Sequence, residues 1–308
     1  MEDYPKTLME FETRFASEEA CREYLAQLRW PEGFRCPQCD GRKAWETDRL
    51  LFHCARCGRQ ISATAGTVFE GTRKPLRMWF QAMWWVTSQK NGGSAKGLQQ
   101  VLGLKTYQTA WTWLHKLRRA MVRPGRDRLR GLVEVDETYV GGHEDEAIGR
   151  GTQTKTLVVI AVEKKSRQLG RIRMATVKAA STDQLCGFVE QCVEPGSEVR
   201  TDGWKGYLGL PGRGYMHDRI IQKNHAETAS ELLPGVHRVA SLLKRWLLGT
   251  HQGAVRSQHL DYYLDEFTFR FNRRKSQYRG KLFYRLVQQA VCLPTTPYKD
   301  IVRPDHNI

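Results

Sequence analysis

"GLVEVDETYVGG", residues 131–142, sets Asp136 in the middle of an apolar strand closed by two glycines. A carboxylate flanked by valines is costly to bury unless it meets a cation or a partner. Glu134 and Glu137 are weaker candidates for the same chemistry, Glu134 on the face of Asp136 and Glu137 on the other by strand alternation. Working outward, "TKTLVVIAVEKKSRQLGRIRMATV" (154–177) reads as a hairpin with "KSRQLG" as its turn. "STDQLCGFVEQCV" (181–193) reads as a helix with Ser181 or Thr182 as cap, and "GSEVRTDGWKGY" (196–207) as a strand meeting a turn. "DRIIQKN" (218–224) reads as one more strand, and from Leu233 onward the chain is helical and basic.

Three consecutive strands followed by alternating helix and strand give an α/β reading, α+β over the whole chain. The expected core is a mixed five-stranded sheet flanked by helices, the order of a ribonuclease-H-like fold. Asp202 ends its strand 66 residues after Asp136. Two strand-borne aspartates that meet on adjacent strands repel each other, so they call for a divalent cation, with Mg²⁺ the usual choice. "GVHRVASLLKRW" (235–246) holds His237 and Lys244 seven positions apart, close to two helical turns, so both side chains point the same way.

Toward the N-terminus, "CPQC" and "CARC" present Cys36, Cys39, Cys54 and Cys57 with fourteen residues between the pairs. Two such knuckles suit tetrahedral coordination of a structural Zn²⁺, Gly58 permitting the tight turn after the second. His53 abuts the second pair as a lesser candidate ligand. "RFASEEACREYLAQLR" (14–29) is expected to form a helix capped near Ser17. "PLRMWFQAMWWVTSQK" (75–90), with Pro75 at the first helical position, is followed by "NGG", a short helix ending at Gly103, and the helix "TYQTAWTWLHKLRRAM". That arrangement resembles a helix-turn-helix in which Lys105, Tyr107, Gln108 and Lys116 would face DNA. The tryptophans of the segment read as core.

The chain has 308 residues and a formal net charge of +16, with 49 Lys+Arg against 33 Asp+Glu. Such an excess favours a polyanionic partner, and double-stranded DNA fits the motifs. No apolar run approaches a membrane span and the acidic N-terminus lacks a signal region, so a cytoplasmic location is expected. Organisation is read as an N-terminal helix plus cysteine-bearing segment (1–70), a helical region (71–125), the sheet domain (130–290) and a tail (291–308).

Four blocks together resemble the DDE-type insertion-sequence transposases with an N-terminal zinc ribbon, the ISXO2-like group. They are "CPQC…CARCGRQISATAGTVFEGT", "VEVDETYVGG", "RTDGWKGY" and "HRVASLLKRWLLGTHQGAVRSQHLDYYLDEFTFRFNRR", spanning about residues 15 to 290. The resemblance implies metal-dependent cleavage and strand transfer at insertion-sequence ends, in bacterial or archaeal cytoplasm near the nucleoid. Asp136 matches the first metal-binding aspartate and Asp202 the second. Many relatives carry Glu seven residues before the Lys, where this chain has His237. Some carry an Asn, which one register would set at Leu242. An imidazole brings no negative charge and is softer than a carboxylate, so Mn²⁺ is expected to serve as well as Mg²⁺. Lys244 would contact a phosphate near the cut. Arg270, Arg273, Arg274 and Lys275, within "FRFNRRKSQYRGK" (269–281), would grip backbone phosphates. Partners implied are the terminal inverted repeats, target DNA and further copies of the chain, a dimer or larger. The non-acidic third position keeps open a decayed or domesticated relative that binds DNA without cutting it.

Overall fold

The computed structural model describes residues 2–123, 125–141, 155–166, 168–221 and 229–303. The chain divides into two compact units, Met1–Arg123 with Lys275–Ile308, and Pro124–Arg274.

The second unit is built on a five-stranded sheet of order β6-β5-β4-β7-β8. Its strands are β4 (Leu132–Val140), β5 (Thr156–Lys165), β6 (Gln168–Val177), β7 (Glu198–Thr201) and β8 (Met216–Arg219). β4, β5 and β6 form an antiparallel meander, while β7 and β8 join parallel to β4. This is the ribonuclease-H-like order expected from the sequence. β5 is buried on both faces, as its near-continuous apolar run demands. Val158, Ile160 and Val162 face helices α8 (Pro234–His251) and α9 (Leu260–Asn272), whereas Val159 and Ala161 face α6 (Thr182–Cys192). Ser181 Oγ caps α6 by accepting from Gln184 N, which decides between the two cap candidates. The last strand begins two residues earlier than "DRIIQKN" suggested and ends at Arg219, and residues 222–224 lie outside the described set.

The edge of β6 is covered by α9. Asn272 Oδ1 accepts from Ile172 N at 2.7 Å and its Nδ2 donates to Ile172 O at 3.2 Å. Asp261, eleven residues earlier on the helix, accepts from Thr176 N at 3.0 Å and from Thr176 Oγ1 at 2.8 Å. Unpaired strand groups are thereby satisfied by side chains.

The first unit opens with α1 (Leu8–Arg14), unforeseen in the sequence, and α2 (Glu18–Arg29), capped by Ser17 as expected. A three-stranded antiparallel sheet follows, β1 (Ala44–Glu46), β2 (Phe52–Cys54) and β3 (Gln60–Ile61). Then come α3 (Leu76–Ser88), α4 (Ala95–Val101) and α5 (Tyr107–Ala120). Pro75 sits at the N-cap of α3, one position before the first helical turn that the sequence reading gave it. Trp79 stacks on Trp113 at 3.8 Å between ring centroids, and Trp84 stacks on Phe11, so these tryptophans are core. Phe283 of α10 (Gly280–Ala290) packs edge-on against Phe11, Phe80 and Trp84. The segment from Lys275 onward, read from sequence as the end of the sheet domain and a tail, therefore belongs with the N-terminal helices. Its aromatic face completes their core.

Candidate active site

Asp136 lies on the α8 side of β4, with a side chain 17% exposed. Its Oδ2 stands 3.7 Å from His237 Nε2, and its Oδ1 accepts from Glu137 N at 2.9 Å. His237 is in the first turns of α8 and is 36% exposed, open enough to meet a ligand. Asp202 follows directly on the end of β7. The parallel register pairs Glu134 with Arg200, and two residues further along each strand stand Asp136 and Asp202. Neighbouring strands run about 4.8 Å apart, so both aspartates belong to the same end of the sheet. Asp202 Oδ1 accepts from Trp204 N at 3.0 Å, closing the turn after β7.

The phenol of Tyr207, on the opposite face of β4, reports the same grouping. Burial holds it well above its ordinary pKa, and the charges of Glu137, Asp136 and Asp202 add to that. Its OH donates to Glu137 Oε2 at 2.8 Å. Glu134 and Glu137 thus occupy opposite faces, as alternation requires.

The structure brings Asp136 and His237 together as a pair. It does not draw Asp202 into one tight cluster with them. Among the described residues, the four cysteines are the only set of three or more potential ligands whose atoms lie within 4.8 Å of one another. Lys244 shares the face of His237 about 10 Å further along α8, exposed and with no side-chain partner among the described residues.

The cysteine cluster is symmetric. Cys36 and Cys57 sulfurs are 3.7 Å apart and those of Cys39 and Cys54 3.6 Å. Two thiolates bound to one tetrahedral zinc are separated by about 3.8 Å, so the set fits a structural Zn²⁺. Each knuckle is closed by a residue at positive φ, Asp40 at 62° and Gly58 at 71°. Their N–H groups donate to Cys36 O and Cys54 O. Burial raises the Cys36 thiol, but N–H groups of Cys39 and Gln38 together with the sulfurs of Cys39 and Cys57 lower it overall, while the sulfurs of Cys57, Cys54 and Cys36 raise the thiol of Cys39. His53 instead packs against Trp45, their ring centroids 4.3 Å apart and the planes tilted by 54°.

Residues 128–272 match the ISXO2-like transposase domain and residues 16–60 the transposase zinc-ribbon domain. The chain belongs to the ISXO2-like transposases. It is also 28% identical over 279 residues to an uncharacterized protein in transposable element ISH50 of Halobacterium salinarum, covering 83% of this chain and 91% of the relative. A much looser likeness links it to the crystal structure of the Mos1 Strand Transfer Complex, with TM-score 0.28 and 12% identity over 74% of this chain and 78% of that one. That superposition is too poor to bear on the site.

Several basic residues of this transposase that the sequence offered to DNA are committed elsewhere. Lys116 is half-buried and its Nζ donates to Thr295 Oγ1 at 2.9 Å, with burial lowering its pKa. Arg270 pairs with the fully buried Glu266 at 2.9 Å. Arg273 covers the Phe269 ring and donates to Phe269 O. Arg274 covers Phe271 and donates to Leu169 O and Gly170 O along β6. Arg270 and Arg273 thus serve their own helix at its C-terminal end, and Arg274 ties that end to β6. Lys275 is exposed, and so are Lys105, Tyr107 and Gln108 at the start of α5, where Thr106 caps the helix. Among the described residues no helix is long and apolar enough to cross a membrane.

Sequence reasoning undervalued two acids, Glu134 and Glu137. The EVDE run puts Glu134 beside Asp136 on one face and Glu137 on the other, but neither acid's partner is visible in the run itself.

Proposed function

We propose that this transposase cuts the ends of its insertion sequence and joins them to target DNA at a site made of Asp136, Asp202, His237 and Lys244. The observation that carries the reading is the 3.7 Å approach of His237 to Asp136, across 101 residues of chain, with Asp202 on the next strand at the same sheet end. The donor set, two carboxylate side chains and an imidazole, suits a divalent ion of the Mg²⁺ or Mn²⁺ kind. When bound, such an ion acidifies the attacking water or DNA hydroxyl and stabilises the leaving oxygen. Asp136 and Asp202 supply negative charge for it, fixed by backbone N–H bonds to Glu137 and Trp204. His237 supplies a neutral nitrogen, and Lys244 holds a non-bridging phosphate oxygen as a mobile point charge.

DNA is the partner in this reading. Lys105, Tyr107 and Gln108 would meet base edges, and the zinc ribbon would add to recognition of the terminal repeats. Phosphate gripping falls to α8, where Arg238 and Arg245 shadow His237 and Lys244 one residue on. Both are exposed and without side-chain partners among the described residues. Two copies of the chain, or more, would hold two ends, in a prokaryotic cytoplasm where the nucleoid is at hand.

Strand transfer from an oligonucleotide carrying the inverted repeat, with Mg²⁺ or Mn²⁺, tests the reading. Asp136→Ala is expected to lose at least about 100-fold in product while keeping end binding. His237→Ala nicking as fast as the parent would remove His237 from the site. A second reading, a DNA-binding protein that no longer cuts, is favoured by His237 standing where a carboxylate is usual. No product with either metal, alongside intact end binding, would establish it.

A further inference from the structure

Glu134 is a strand-borne acid only 1% exposed. Its Oε2 accepts from Gly235 N at 2.7 Å and from Val236 N at 2.9 Å, and its Oε1 lies 3.1 Å from Lys164 Nζ. Gly235 and Val236 belong to the first turn of α8, which starts at Pro234 and receives no side-chain cap from Leu233. A helix N-terminus leaves N–H groups without partners and carries the positive end of the helix dipole. Ordinarily a neighbouring Ser, Thr, Asp or Asn satisfies them. Here the acceptor is a carboxylate about 100 residues earlier, inside the sheet. Glycine at 235 is part of the fit, because a Cβ there would stand 2.6 Å from Glu134 Oε2.

The consequence is geometric. His237 follows Val236 directly, and Asp136 lies two residues along β4 from Glu134 on the same face. One carboxylate therefore ties the backbone before His237 to the strand that carries Asp136. We infer that Glu134, seated against Gly235, is a positioning residue that sets the separation of His237 from Asp136 and so the affinity of that pair for a divalent cation. The inference rests on the reading of His237 as a metal-holding residue.

The test uses the full-length, zinc-loaded protein, with Mn²⁺ alone as probe in titration calorimetry and with amide hydrogen exchange followed in parallel. Glu134→Ala is expected to speed exchange at Gly235 and Val236 about tenfold or more, leave α9 amides unchanged, and weaken Mn²⁺ about tenfold. Gly235→Ala keeps the carboxylate but displaces the turn, and is expected to weaken Mn²⁺ to a similar degree. It stands in if Glu134→Ala does not fold. Glu134→Gln retains an acceptor oxygen and should recover most of the loss. In a His237→Ala background, Glu134→Ala should cost nothing further. Equal losses in both backgrounds, or unchanged Mn²⁺ affinity in Glu134→Ala and Gly235→Ala, would overturn the inference. Should His237→Ala by itself leave Mn²⁺ affinity intact, the metal-holding reading of His237 falls. The tie between Glu134 and α8 then falls only if exchange at Gly235 and Val236 is also unchanged.

Discussion

The two candidate metal-binding regions are assembled in opposite ways. The cysteine cluster is local, four thiols from two knuckles that begin 18 residues apart, each folded by its own backbone hydrogen bonds. The acidic site draws Asp136 from β4, Asp202 from beyond β7 and His237 from α8. A local site can be read from spacing alone, because the residues between ligands are too few to take them anywhere else. A dispersed site exists only once sheet register and helix docking are fixed, so its geometry belongs to the whole unit.

The largest expected contrast is in metal dependence of folding. Removing zinc by chelation, or Cys36→Ser, should unfold residues 34–60, since structural zinc contributes on the order of 10 kcal/mol to such small folds. Amide exchange over β1–β3 reads this directly. If those amides stay protected, the ribbon folds on its own and the contrast with the acidic site disappears. Next in size is His237→Glu, which adds a carboxylate at the dispersed site. It is expected to raise the product ratio of Mg²⁺ to Mn²⁺ by about tenfold in strand transfer, following the harder oxygen donor. An unchanged ratio would separate His237 from the ion.

A smaller effect distinguishes two helices that sequence treats alike. Arg238→Ala with Arg245→Ala on α8 should lower the slope of log affinity against log salt by about 2. The corresponding change at Lys116 should leave that slope as it was, because its ammonium is turned to Thr295. Smallest is Thr106→Ala at the cap of α5, with an expected loss of about 1 kcal/mol of stability in chemical denaturation.

These differences mark what was legible. The cap Ser17, Ser181 as one of two cap candidates, the knuckles and the β4–β5–β6 meander are legible from pattern, whereas His237 is set beside Asp136 in the sequence only through the family resemblance. What escaped depends on burial and on partners that only the folded unit supplies. Nothing near Arg270 announces that Glu266 is buried beneath it rather than exposed one turn away. Arg274 finds carbonyls of β6 more than 100 residues upstream. The "FRFNRR" run looks like a phosphate clamp because guanidinium groups serve backbone carbonyls and DNA equally well, and only burial separates the two uses. Glu134 escaped for the converse reason. An acid in an apolar strand reads as chemistry or as cost, and its acceptor role depends on the docked first turn of α8.

The covering of β6 by Asp261 and Asn272 has a consequence for assembly. Open strands are where protein chains most readily join by continuing a sheet from one molecule into the next. On this flank the main-chain donors and acceptors at Ile172 and the donor at Thr176 are already occupied by a helix of the same molecule. Extension of the sheet into a second copy is therefore opposed at Ile172 and Thr176, and variants that strip Asp261 or Asn272 would free those groups.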